Sequence, residues 1–226
     1  MKIVVTGKEG LLSTHLQRLD ESIVGLSKEE YDITQVSITD KLRSINPDIV
    51  IHAAATTDSN VVNKERALAI TTNIIGTAHI ANYCLDNGKR LVYISTDYIY
   101  DGTRGDYKET DPILPYNNYA WTKLGGECSV RLVPNHTIIR TSFGSTIFPY
   151  DAAWDNLTVS KDYIDIIAPK ILQVATSSFV GTVNIGTEPK SMYEYASRRN
   201  TVKKDSLQDS LNFSLNVDRY EQSFSN

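Results

Sequence analysis

Cysteine, histidine and long apolar runs are all scarce in this 226-residue chain, and each shortage closes off a class of protein. There are 2 cysteines and 4 histidines. Cys84 and Cys128 fall in helical-looking segments with no ligand spacing around them, which excludes a disulfide scaffold and reads as two reduced, buried packing residues. His15, His79 and His136 have no acidic or nucleophilic partner pattern, and Asp162, Asp165 and Glu188 are not spaced as a metal set, so no metal is expected. No apolar stretch is long enough to span a bilayer. The start, MKIVVTG, enters a strand at once and has no leader-like run, so a cytoplasmic, membrane-free protein is expected. Positive charge is not in excess either: 23 basic residues face 27 acidic ones, for a net charge of -4. That balance speaks against a nucleic-acid partner.

What is present is a regular alternation of apolar strands and helices. Hydrophobic content is 41%, enough for a sizeable core. Strands are expected at residues 3–6, 23–26, 48–53, 91–96 and 137–141. Helices are expected at 11–19, 38–45, 61–85 and 119–131. Asn46-Pro47 stops the second helix and Asn87-Gly88 the third. Near-continuous apolar strands in such an order predict an α/β fold, a Rossmann-type doubly wound parallel sheet covered on both faces. Residues 1–145 would form this dinucleotide-binding domain. Residues 146–199 would make a small, trimmed substrate-binding region, with a helix at 162–176, a return strand at 181–185 and a short helix at 191–199. Residues 200–226 read as a polar, weakly ordered tail or lid.

Three sites carry chemistry. In the first, Gly7 and Gly10 sit between the first strand and the first helix. Glycine allows the tight turn and close backbone approach, and a helix N-terminus offers free N–H groups to a pyrophosphate. The third small position is Ser13, where glycine is usual. An ordinary strand-to-helix turn is the plain alternative. In the second, Tyr119-Ala-Trp-Thr-Lys123 puts a phenol and an ammonium on one helix face. The ammonium is expected to lower the phenol pKa toward a useful range. The alternative is a surface Tyr and Lys on a solvated face. In the third, Ser95 and Thr96 end a parallel strand where the ligand crevice opens. A hydroxyl there can donate to a carbonyl oxygen that becomes an alkoxide, or merely satisfy strand-end backbone. His52, at the end of the third strand, is expected to pack on the cofactor side rather than serve as a base.

In order along the chain, Val5-Thr6-Gly7, Asp32-Ile33-Thr34, Pro47 to Ala55, Asn73-x-x-Gly76-Thr77, Ser95-Thr96-Asp97-Tyr98-Ile99-Tyr100-Asp101-Gly102, Glu109-Thr110-Asp111, Tyr119-x-x-Thr122-Lys123-x-x-Gly126-Glu127 and Arg140-Thr141-Ser142 resemble the extended short-chain dehydrogenase/reductases, and within them the nucleotide-sugar reductases of the dTDP-4-dehydrorhamnose reductase group. The match covers about two thirds of the chain, and its run from Ser95 to Gly102 is highly specific. The resemblance implies that Thr96 polarises the substrate carbonyl, Tyr119 donates the proton and Lys123 holds the nicotinamide ribose. It puts Asp32 and Ile33 beside the adenine and Ala53, Ala54 and Ala55 along the dinucleotide. Gly7, Lys8, Gly10, Leu11, Leu12, Ser27, Lys28 and Ser95 complete the expected cofactor set. Thr96, Asp97, Tyr98 and Phe143 form the expected substrate set, with Phe143 where the family usually has tryptophan.

The implied reaction is NAD(P)H-dependent reduction of a nucleotide-linked 4-keto-6-deoxy sugar. An NAD-retaining sugar-nucleotide epimerase and a non-catalytic dinucleotide-binding subunit remain as alternatives, and a homodimer is compatible with all three. The second strand ends Val24-Gly25-Leu26-Ser27-Lys28 without a carboxylate, so NADP(H) is preferred and NAD(H) is the second cofactor. The family usually carries a longer sugar-binding stretch than residues 145–161 provide. That segment, with Phe148, Tyr150 and Trp154 expected to be exposed, reads equally as a mobile, incomplete sugar site or as packing.

Overall fold

The computed structural model describes residues 1–224. Its elements in chain order are β1 (Ile3–Thr6), α1 (Leu11–Leu19), β2 (Val24–Leu26), α2 (Ile38–Ile45), β3 (Ile49–His52), α3 (Ser59–Lys64), α4 (Arg66–Ile70), a π-helical stretch at Thr71–Gly76, α5 (Thr77–Asp86), β4 (Arg90–Thr96), α6 (Asn118–Val130) and β5 (His136–Thr141). There follow β6 (Phe143–Gly144), β7 (Ala152–Trp154), β8 (Leu157–Val159), β9 (Asp162–Tyr163), α7 (Ile164–Thr176), β10 (Gly181–Ile185), β11 (Lys190–Ser191), α8 (Met192–Ser197), β12 (Lys203–Asp205), β13 (Leu211–Asn212) and α9 (Asp218–Phe224).

Six parallel strands form the main sheet in the order β2-β1-β3-β4-β5-β10. The chain runs outward from β1 to β2 and then returns to build β3 and β4 on the other side. The direction of winding therefore reverses between β1 and β3, and the crevice above that point is where such sheets bind ligands. Strand side chains alternate between two cores. Ile3, Val5, Ile49, Ile51, Val92, Ile94 and Ile139 pack with α1 and α7 on one face, while Val4, Val50, Leu91, Tyr93 and Ile138 pack with α2 and α5 on the other. Burial on both faces is why these strands read as continuous apolar runs. Asn46 adopts φ 51° and its N–H closes α2 onto the Leu42 carbonyl, as its C-cap position requires.

The helix expected at 61–85 is broken. Glu65 leaves helical geometry between α3 and α4, and the stretch at Thr71–Gly76 widens into a π-helix. Asn73, on this stretch, is buried. Its carboxamide accepts from the Thr56 N–H at 2.7 Å and donates to the Thr56 carbonyl at 2.9 Å and to Thr122 Oγ1 at 2.8 Å. Such bulges are frequent at functional sites.

Residues 200–224 are not a weakly ordered tail, and residues 225–226 of that expected tail lie outside the described ones. β12 pairs with β7, and β13 pairs with β8. Phe213, Leu215 and Tyr220 are buried. Phe213 lies against Gly102, where a Cβ would come within 2.4 Å of its ring, and α9 covers one end of the main core through Tyr220 and Phe224. The few apolar residues of this segment thus find partners far back in the chain. Segment 145–161 is likewise built into short sheets, and Phe148 is buried against Tyr195 and Tyr163, while Tyr150 and Trp154 are exposed. Cys84 is buried, but Cys128 is exposed because α6 turns that position to solvent. No helix among the described residues is long and apolar enough to cross a membrane.

Candidate active site

A cleft of about 660 Å³ runs across the carboxyl ends of the main strands, from Lys28 and Asp32 at one end to Phe143 and Lys161 at the other. That volume lies within the range of small-ligand sites. Gly7, Gly10, Leu11, Leu12, Ile33, Ala53, Ala54, Ala55, Ser95, Thr96, Asp97, Tyr98, Tyr119 and Lys123 all line it.

The floor is the glycine turn. Gly7 has φ +75°, and a Cβ there would lie 3.1 Å from the Ala54 Cα. The Gly7 and Lys8 amides are spent on the Leu26 carbonyl, and that of Gly10 on the Gly7 carbonyl. No side chain caps α1, so the first-turn amides of Leu11, Leu12 and Ser13 face the cleft unspent. Ser13 is buried, and its hydroxyl donates to the Thr6 carbonyl at 3.2 Å. The serine in the third small position therefore ties α1 to β1. A hydrogen-bonded row supports the wall behind. Thr77 Oγ1 donates to the Asn73 carbonyl, so it accepts from His52 Nε2 at 3.0 Å. His52 Nδ1 then accepts from Thr6 Oγ1 at 2.8 Å, which in turn accepts from the Ala53 and Ala54 amides. Burial, reinforced by Lys123, pushes the His52 pKa down to about 3. His52 is a neutral strut inside the wall, and it does not line the cleft.

Lys8 and Ser27 are also absent from the lining. Lys8 lies along Gly25 of β2 beside Gln17, and Ser27 Oγ accepts from the Glu30 N–H at 3.4 Å within its own turn.

At the other end stand Ser95, Thr96, Asp97, Tyr119 and Lys123. Burial first, and then the Asp97 carboxylate, push the Tyr119 pKa up. The expected lowering by Lys123 is not found. The Lys123 ammonium instead sits 4.2 Å from the Tyr93 ring centroid, only 2% of the residue is exposed, and burial brings its pKa down to about 7 against the attraction of Glu127. Thr96 Oγ1 donates to Asp97 Oδ1 at 3.1 Å and accepts from the Tyr98 N–H. Ser95 Oγ donates to Glu127 Oε1 at 2.6 Å, and Glu127 pairs with Arg140 at 2.9 Å with both side chains fully buried. Ser95 thus borders the cleft while anchoring β4 to α6. Asp97 is buried, and that burial lifts its pKa to about 6 against the pull of Lys161. Tyr98 packs edge-on against Phe213 at 4.8 Å.

Lys161, Thr141, Ser142, Thr56, Thr57, Thr72 and Tyr31 also line the cleft, and the sequence assigned none of them a role there. Thr141 and Ser142 could have been given one, since they follow Arg140 at a strand's carboxyl end. Lys161 carries no local signal, because only the fold of the trimmed region brings it to Asp97. Among the described residues no cluster of His, Cys, Asp and Glu could hold a metal.

A parallel α/β sheet with an open helix terminus at its switch point and a Tyr/Lys pair across the crevice defines the fold of the extended short-chain dehydrogenase/reductase class. Residues 1–150 match the model of the RmlD substrate binding domain, and the chain belongs to that family. It is 31% identical over 179 residues to a dTDP-4-dehydrorhamnose reductase of Mycobacterium tuberculosis (strain ATCC 25618 / H37Rv), covering 74% of this chain and 59% of that protein. It is 34% identical over 154 residues to the reductase of the same name from Salmonella typhimurium, covering 63% of this chain and 51% of that one. The chain thus spans little more than half the length of these relatives. Among solved structures, the dTDP-4-dehydrorhamnose reductase of Bacillus anthracis str. Ames, in complex with NADP, superposes with a TM-score of 0.89 at 26% identity, over 99% of this chain and 92% of that one.

Proposed function

We propose that this protein is an NADPH-dependent reductase of a nucleotide-linked 4-keto-6-deoxy sugar. The observation that carries this reading is the convergence of Thr96, Tyr119 and Lys123 on one cleft whose far end is an uncapped helix N-terminus, in a chain of this family. The residues fit the cofactor. The amides of Leu11, Leu12 and Ser13 would take the pyrophosphate, Ala53 to Ala55 would flank the dinucleotide, Asp32 and Ile33 would border the adenine, and Lys123 would hold the nicotinamide ribose. Lys28, lining the same end, favours the 2′-phosphate of NADP(H) over NAD(H), and the similar Bacillus anthracis reductase was solved with NADP.

When bound, NADPH supplies the hydride. Tyr119 keeps its proton at neutral pH because burial and Asp97 both oppose the phenolate, and it passes that proton to the keto oxygen as charge develops there. Thr96 orients the same oxygen once its hydroxyl turns from Asp97 toward it. Asp97, Tyr98 and Phe143 contact the sugar. A cytoplasmic enzyme fits this reading, and a homodimer is compatible with it, which light scattering checks.

The trimmed sugar region favours one competing reading, a dinucleotide-binding subunit without turnover. Mixing the protein with dTDP-4-keto-6-deoxy sugars and following NADPH absorbance separates the two. Consumption of NADPH supports the reductase. Tight NADPH binding with no consumption on any 4-keto nucleotide sugar would leave the binding subunit.

A further inference from the structure

Thr141 closes β5 in register with Thr96 on the neighbouring strand. It is 3% exposed and lines the cleft, yet its Oγ1 has no hydrogen-bond partner among the described residues. Other buried hydroxyls of β4 and β5 are engaged: Thr137 donates to the Phe179 carbonyl at 2.7 Å, Ser95 to Glu127 and Thr96 to Asp97. Burying a hydroxyl without a partner forfeits its hydration with no return, and a native orphan calls for an explanation. Nearby on the lining is a second uncommitted donor. Lys161 Nζ makes no hydrogen bond or close ion pair among the described residues, lies 5.9 Å from the Tyr195 ring centroid and faces Asp97.

We propose that Thr141 Oγ1 is a ligand-binding group, donating a hydrogen bond to an oxygen of the bound reactants at the reacting end of the cleft. Two oxygens share that chemistry: the carboxamide oxygen of the nicotinamide and a keto or hydroxyl oxygen of the sugar. The inference rests on the reductase reading and names a contact within that site. Thr141 supplies a fixed donor because β5 is an interior strand held on both edges, so the hydroxyl needs no ordering when the ligand arrives.

Thr141→Val keeps the side chain's shape and removes the hydroxyl, and Thr141→Ser keeps the hydroxyl. The unliganded Val variant is expected to melt at or above the wild-type temperature, since it buries no orphan. Its NADPH dissociation constant, measured by fluorescence titration, or its KM for dTDP-4-dehydrorhamnose should rise roughly 10- to 100-fold, and Ser should restore most of the loss. Weaker NADPH binding assigns the carboxamide, whereas unchanged NADPH binding with a raised KM assigns the sugar oxygen. If both constants stay at wild-type values, or if the unliganded Val variant melts lower because the hydroxyl is structural, the proposal is wrong. A wild-type protein that does not bind NADPH would remove the reductase reading itself, and this contact with it, before any variant is compared.

Discussion

The ammonium of Lys123 lies 4.2 Å from the centroid of the Tyr93 ring, inside the wall that α6 makes with β4. The ring face offers partial compensation for lost hydration, but burial still brings the lysine pKa from 10.5 down to about 7. The unfolded chain therefore binds this proton more tightly than the folded one. The penalty is full below pH 7 and shrinks as pH rises toward 10.5, so this group makes stability increase across that window. Lys123→Met should raise the melting temperature of the cofactor-free protein most below pH 7, with the gain diminishing toward pH 10. Calorimetry across that range checks it, and a gain independent of pH would show that the charge is not buried as described.

Tyr119→Phe should lower turnover by about 100- to 10000-fold while leaving NADPH affinity nearly intact, because it removes a positioned acid and keeps the ring. In the wild type, the raised phenol pKa predicts no loss of rate from tyrosine ionisation anywhere near neutrality. Single-turnover rates against pH, with NADPH titrations of both proteins, provide the measurement. Near wild-type turnover in the Phe variant would remove the proton-donor role.

Breaking the Glu127–Arg140 pair should be among the most costly single changes in the molecule. Arg140→Met leaves the fully buried Glu127 carboxylate with only the Ser95 hydroxyl and the half-exposed Arg131, 3.6 Å away, with an expected loss of about 3–5 kcal/mol. Adding Glu127→Leu should recover much of it, because the buried carboxylate is then gone. Denaturant unfolding of the two variants tests this, and a double variant no better than Arg140→Met would contradict it.

His52 should remain neutral far below the usual histidine range, carrying its proton on Nε2. Its folded pKa, lowered from 6.5 to about 3, means that the stability it contributes is present above pH 6.5 and is lost as pH falls toward 3. Nitrogen-15 NMR of the ring reads both tautomer and titration, and an Nδ1–H form would reverse the hydrogen-bond direction deduced through Thr6 and Thr77.

Lys28→Ala should raise the NADPH dissociation constant by roughly 10- to 100-fold, the scale of one charged hydrogen bond, with little change for NADH. Paired titrations decide it. Equal effects on both cofactors would take the lysine away from the 2′-phosphate.

Local patterns were legible. Strand and helix limits at 3–6, 11–19, 38–45 and 181–185 follow directly from apolar periodicity and from stop signals such as Asn46-Pro47. The break at Glu65 and the π-helical turn at Asn73 were not, because the residues flanking them have helical spacing. What distorts the helix is the set of hydrogen bonds Asn73 makes with Thr56 and Thr122.

The sequence by itself determined the parallel sheet, the glycine turn at its head and the one-face placement of Tyr119 and Lys123. The turn and the pair depend on residues a few positions apart, where backbone geometry alone fixes the outcome, and the sheet follows from apolar strands alternating with helices. Tertiary structure decided the rest. It turned Lys123 onto Tyr93, brought Lys161 to Asp97, left Thr141 Oγ1 without a hydrogen-bond partner among the described residues and folded the polar C-terminal segment through Phe213 onto Gly102. Those outcomes depend on burial and on which distant group comes within hydrogen-bond reach, and no pattern of neighbouring residues encodes either.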